Sequence, residues 1–169
     1  PSAEDLAYLE TMRNGILIPS YLDFLKNIQP PRYDLRHEGD NIKLEYESRW
    51  PSASFPEVPD LAIINELYCQ AQMEKLSVAE RAAVYNEGRK RLRGKIETLL
   101  HYPEIIFSDF GTRRRFNFEW HKEVVATLIE RIPKQFIGTS NVELSRQYNL
   151  EPVGTSPHEI FQVGSGIYY

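Results

Sequence analysis

Between residues 104 and 154 the chain repeats one texture: a short apolar run, a glycine turn, then a helical stretch. Ile105-Ile106-Phe107 feeds Ser108-Asp109-Phe110-Gly111-Thr112, Phe136-Ile137 feeds Gly138-Thr139-Ser140-Asn141, and Val153 feeds Gly154-Thr155-Ser156. Helical spacing fills the intervals over 119–132 and 142–148. Strands that alternate with helices in this way build right-handed βαβ units on a parallel sheet. All strands of such a sheet point the same way, so the Gly-Thr turns fall at one edge, where ligands of α/β folds gather. The expected fold class is therefore α/β, with its site at that edge.

The first hundred residues read differently. Leu6, Leu9 and Met12, then Tyr21, Phe24, Leu25 and Ile28, fall at helical spacing, and Pro30-Pro31 closes this pair. Ile42, Leu44 and Tyr46 alternate with Lys43, Glu45 and Glu47, the period of a strand with one wet face. Pro59 suits the first turn of a helix carrying Leu61, Ile64, Leu67 and Tyr68 inward. Ser77 and Glu80 form a capping-box signature for a long helix over 78–100, with Ala83, Leu92, Ile96 and Leu99 near one apolar stripe.

A closed (β/α)₈ barrel takes about 250 residues. These 169 residues end after two or three strand-helix units, begin without Met, and are expected to be a piece of a longer protein. The single cysteine, Cys69, excludes an internal disulfide, and no stretch has the roughly 20 apolar residues of a membrane span. No signal peptide is expected, because Pro1-Ser2-Ala3-Glu4-Asp5 is acidic. A net charge of −4 argues against a nucleic-acid partner. Basic residues nevertheless cluster, in Arg89-Lys90-Arg91-Leu92-Arg93-Gly94-Lys95, which reads as a solvated helix face, and in Arg113-Arg114-Arg115.

Glycine after a strand lets a ligand approach the backbone, and the N–H groups opening the next helix favour anions. Guanidinium groups extend this, presenting a planar fork to phosphate or carboxylate. In an extended loop Arg113 and Arg115 share a side while Arg114 pairs with a carboxylate; the alternative is a salt-bridged surface loop. Phe110 either caps a planar ligand or plugs the core beneath the loop. Asp109 suits an Asx-type bond within its own turn rather than a metal. His158, between Pro157 and Glu159, has one ring nitrogen available for a carboxylate and the other for nucleophilic attack, or is structural. His37, His101 and His121 are assigned to charged or helical-surface positions. No metal-ligand spacing and no Ser-His-Asp grouping is present.

Taken together, Phe107-Ser108-Asp109-Phe110-Gly111-Thr112-Arg113-Arg114-Arg115-Phe116, Ile137-Gly138-Thr139-Ser140-Asn141 and Pro152-Val153-Gly154-Thr155-Ser156-Pro157-His158-Glu159 resemble nicotinate phosphoribosyltransferases of the bacterial and fungal type, in order and interval. Trp50, Glu57-Val58-Pro59 and Leu61-Ala62-Ile63-Ile64-Asn65-Glu66-Leu67 extend the likeness upstream. The resemblance implies a fragment of a type II phosphoribosyltransferase: 1–100 as part of an N-terminal α/β domain with its helical connection, and 101–169 as the first βα units of an irregular, incomplete β/α barrel. It further implies a cytoplasmic, homodimeric enzyme of NAD salvage. Nicotinate and 5-phosphoribosyl 1-pyrophosphate would give nicotinate mononucleotide and pyrophosphate, coupled to ATP with Mg2+ and no prosthetic group. By the same resemblance His158 is phosphorylated, Phe110 stacks on the pyridine ring, and Arg113 lies at the nicotinate and phosphoribosyl site with Gly111, Thr112, Thr139 and Ser140. Arg115, Thr155 and Glu159 would support them, and no residue here is implied as a metal ligand. The family's Asp-x-Tyr-Lys segment has no counterpart here, and Pro157 stands where a small residue is usual. An inactive ligand-binding or subunit-contact fragment is the competing expectation.

Overall fold

In the computed structural model the described residues are 2–12, 17–29, 31–49, 52, 55–154, 161 and 164–166. Helices α1 (Ala3–Thr11) and α2 (Pro19–Asn27) open the chain, followed by strands β1 (Arg32–Glu38) and β2 (Asn41–Glu47). Helices α3 (Glu57–Glu74) and α4 (Val78–Leu100) come next, then β3 (Phe107–Asp109), α5 (Phe118–Arg131), β4 (Phe136–Thr139), α6 (Val142–Tyr148) and β5 (Glu151–Pro152).

The expected parallel sheet forms in the second half. Its order is β3-β4-β5, with Asp109 opposite Thr139 and Thr139 opposite Pro152. Strand β3 begins two residues later than the apolar run suggests, leaving Ile105 and Ile106 outside the sheet and exposed. Polar Ser108 and Asp109 take the strand positions instead, because their partners Gly138 and Thr139 offer the backbone bonds.

Helices α4, α5 and α6 cover this sheet around a core of Ile96, Val125, Leu128, Ile132, Phe136 and Leu144. The capping box at Ser77 and Glu80 is present and starts α4. Ala83, expected on the inner stripe, is exposed, so the buried face of α4 begins further along, near Leu92. Gly88 is the point where α5 presses closest, since a Cβ there would meet the Trp120 ring at 2.9 Å. Buried Gln135 donates from Nε2 to the carbonyls of Leu99, Tyr102 and Ile105 at 2.9–3.1 Å, tying the end of α4 and the loop after it to the start of β4.

The first half departs more from expectation. Strand β2 is joined by an antiparallel β1, which places Tyr33 opposite Tyr46, Leu35 opposite Leu44 and His37 opposite Ile42. Both faces of this hairpin are largely exposed. In α3 the expected inward face is reversed: Leu61, Ile64, Leu67 and Tyr68 are exposed and Ala62 is the buried residue. Apolar side chains ring this helix on all sides, so its pattern does not single out a face. Helix α3 packs upon the arginine turn.

Candidate functional site

Strand β3 delivers Asp109 inward and Phe110 outward. The side chain of Asp109 is 13% exposed, and three donors converge on it. His121 Nε2 lies 2.6 Å from Oδ2, the Thr139 hydroxyl donates to the same oxygen at 2.7 Å, and the Gly111 N–H donates to Oδ1 at 3.0 Å. Burial pushes the Asp109 carboxyl up, but these bonds outweigh it and hold it below the usual carboxylate range. The Asx-type bond to Gly111 matches the sequence reading. Gly111 has ordinary helical dihedrals, so its requirement is space: a Cβ would lie 2.8 Å from Asp109 Oδ1 and 3.2 Å from His121 Nε2.

His121 departs most from the sequence reading. Assigned to a surface position, it is 4% exposed on α5, and its Nδ1 is buried with no hydrogen-bond partner among the described residues. The signal available in the sequence was weak: a histidine in the first turn of the helix after a strand ending in Asp. Only the βα return brings those two residues together.

The second turn is sewn to the first. Thr139, fully buried, accepts the Asn141 N–H on the oxygen that serves Asp109. Asn141 donates from Nδ2 to the Thr112 hydroxyl at 3.0 Å and caps α6 through Leu144 N. Ser140 N donates to the Asp109 carbonyl at 2.8 Å, so its hydroxyl is carried at the carboxyl edge of the sheet. Of the two residues read as ligand contacts, Thr139 has its side chain committed inside the protein, while Ser140 is partly exposed.

The three arginines do not lie in an extended loop. Residues Thr112–Arg114 form a 3₁₀ turn, and the carboxylates of α3 take Arg113 and Arg115, through Glu57 and Glu66 respectively. Arg113 and Arg115 do share a side, toward α3, but there they form the ion pairs of the salt-bridged alternative, whereas Arg114, expected to pair, has no ion pair among the described residues. Arg115 is the structural one: its side chain is 16% exposed, stacks 5.0 Å over the Phe118 ring, and its carbonyl accepts from Asn65. Glu66 also accepts the Phe118 N–H, so a carboxylate of the protein already occupies the opening of α5. Arg113 is 43% exposed and Phe110 is 48% exposed, which removes the core-plug alternative for Phe110. Thr155, His158 and Glu159 lie outside the described residues, as does Trp50.

An exposed aromatic and an exposed arginine thus stand at the carboxyl edge of a parallel sheet, on a turn held from beneath by a buried carboxylate. Residues 105–167 match the model of the nicotinate phosphoribosyltransferase family. Over that segment the chain is similar to this family. A nicotinate phosphoribosyltransferase from Porphyromonas gingivalis has the same fold over 99% of this chain, at 26% identity and a TM-score of 0.75. One from Vibrio cholerae matches 94% of it, at 23% identity and a TM-score of 0.74. The chain spans 41% and 38% of those two proteins' lengths. Its α/β architecture is therefore part of the fold of nicotinate phosphoribosyltransferases.

Proposed function

We propose that the protein to which this chain belongs transfers a phosphoribosyl group from 5-phosphoribosyl 1-pyrophosphate to nicotinate, releasing pyrophosphate in NAD salvage. The observation carrying this reading is the pairing of Phe110 with Arg113 at the sheet edge, within the segment that carries the family pattern. A pyridine ring offers Phe110 a face to stack on, and its carboxylate, like a phosphate, suits the fork of Arg113. Positive charge grows at the anomeric carbon as pyrophosphate leaves with negative charge, so fixed cations and N–H groups near the leaving oxygens lower the barrier. Gly111, Thr112 and Ser140 lie where the backbone can approach such oxygens.

ATP coupling through a phosphorylated His158, a cytoplasmic location and a homodimer belong to the same reading and rest on the resemblance. Mg2+ belongs to the same reading for the full enzyme, with its ligands expected outside this chain; among the described residues no group of three His, Cys, Asp or Glu fits a metal ion. No step here is routed through one.

The test is formation of nicotinate mononucleotide from the two substrates, with and without ATP, alongside calorimetry with each substrate. Turnover that ATP stimulates and Arg113→Ala abolishes, with folding intact, carries the proposal. Binding without turnover supports the inactive-fragment reading, which the chain's 38–41% span of its structural relatives favours for this piece alone. Absence of binding overturns both.

A further inference from the structure

We infer that His121 and Asp109 act as a positioning pair, fixing the angle at which the turn 110–113 presents Phe110 and Arg113. Strand alternation couples the two neighbours: with Asp109 anchored inward, Phe110 must face outward. The anchor is a closed ring of contacts. Asp109 receives His121 from α5 and Thr139 from β4, Thr139 receives Asn141, Asn141 reaches Thr112, and Thr112 leads directly to Arg113. Gly111 lies so close to both members of the pair that no side chain fits between them and the turn. Moving His121 therefore moves the turn.

The ring also fixes the tautomer of His121. Nε2 faces a carboxylate, which accepts only, while Nδ1 faces no partner among the described residues. A hydrogen on Nε2 gives Asp109 its bond and leaves Nδ1 as a bare lone pair; a hydrogen on Nδ1 would bury an unbonded N–H and set two acceptors against each other. His121 meets the turn through its bond to Asp109 and its packing beneath the backbone of Gly111, so it acts by position.

This inference rests on the proposed phosphoribosyl transfer, and two measurements separate their failures. The first is steady-state kinetics of His121→Ala and His121→Gln in the natural protein. His121→Ala is expected to raise KM for nicotinate about 10-fold or more, as displacement of a substrate-holding group does. His121→Gln, which can return a donor toward Asp109, is expected to recover part of that loss. A KM unchanged in His121→Ala, or activity falling only with the amount of folded protein, overturns the inference. If His121→Ala fails to fold, His121→Gln decides by the same criterion.

The second measurement needs no activity. Imidazole proton-nitrogen spectra should show His121 in the Nε2–H form, and amide shifts of His121→Gln should spread over 109–113 and 139–141. The Nδ1–H form, or shifts confined to α5, overturns the inference. Lack of transfer by the unaltered protein sinks the proposed function while these spectra still decide the pair.

Discussion

The tightest constraint on any single residue falls on Gly138. A Cβ there would lie 2.2 Å from the carbonyl oxygen of Glu151 and 2.9 Å from Val153 Cγ2, and its φ of 156° is one that side chains rarely adopt. The obstacle is backbone of the paired strand β5, which cannot rotate aside. Gly138→Ala is expected to cost about 3 kcal/mol or more, at the upper end of overpacking penalties. Urea unfolding followed by circular dichroism measures it, and a loss below about 1 kcal/mol would mean that β5 separates from β4 without cost. Asp109 sets a different test. Its carboxyl titrates below its usual 3.8, so the stability it confers is fully present above that value and is lost as pH falls through the lowered one. The stability difference between the protein and Asp109→Asn should therefore be constant from pH 7 to 5 and shrink below pH 4. A difference that does not change down to pH 2 would show that Asp109 is not ionised in its ring.

At the scale of elements, the sequence foretold what local rules decide. The capping box of α4, the extent of α6 and the alternation of strand and helix after Phe107 follow from periodicity and caps, and they stand in the structure. It misled where partners rather than patterns decide. Exposed Ile105 and Ile106 look more strand-like than Ser108 and Asp109, and α3 carries apolar residues on every side. The candidate site divides the same way: Phe110, Gly111 and Arg113 were legible as a strand-end motif, whereas His121 and Gln135 gain their roles from contacts 12 and 30 or more residues away. Gln135 ties the end of α4 to the start of β4 through three carbonyls. Gln135→Leu keeps the volume and removes the donors; the carbonyls of Leu99 and Tyr102 keep their backbone N–H partners, and that of Ile105 loses its bond. The expected cost is about 1 kcal/mol. Faster amide exchange at residues 99–107 should accompany it, and an unchanged melting temperature would show that water replaces the amide freely.

Over the whole molecule, cohesion is uneven. The cluster of buried apolar side chains is supplied entirely by residues between 96 and 144, and Thr139 and Ser145 are buried among them. The hairpin β1–β2 has no comparable support: it is exposed on both faces, including Leu35 at 59% and Ile42 at 64%. Among the described residues, the Tyr46 hydroxyl ties it outward by donating to Asp60 on α3. An antiparallel pair by itself is marginally stable in water, so its backbone bonds open locally without disturbing the core. Helix α1 is intermediate, held to α6 through Arg146, which reaches Glu4 and Asp5 at 3.5 and 3.3 Å across a partly exposed surface. Such exposed pairs contribute little and weaken with salt. Hydrogen exchange should therefore show three tiers: slowest in β4 and the buried face of α5, faster in α1 and more so at high salt, fastest in 32–47. Protection of the hairpin equal to that of β4 would contradict this order. It would mean that the exposed row of Tyr33, Leu35 and Ile42 is covered in solution, and that the hairpin unfolds only together with the core.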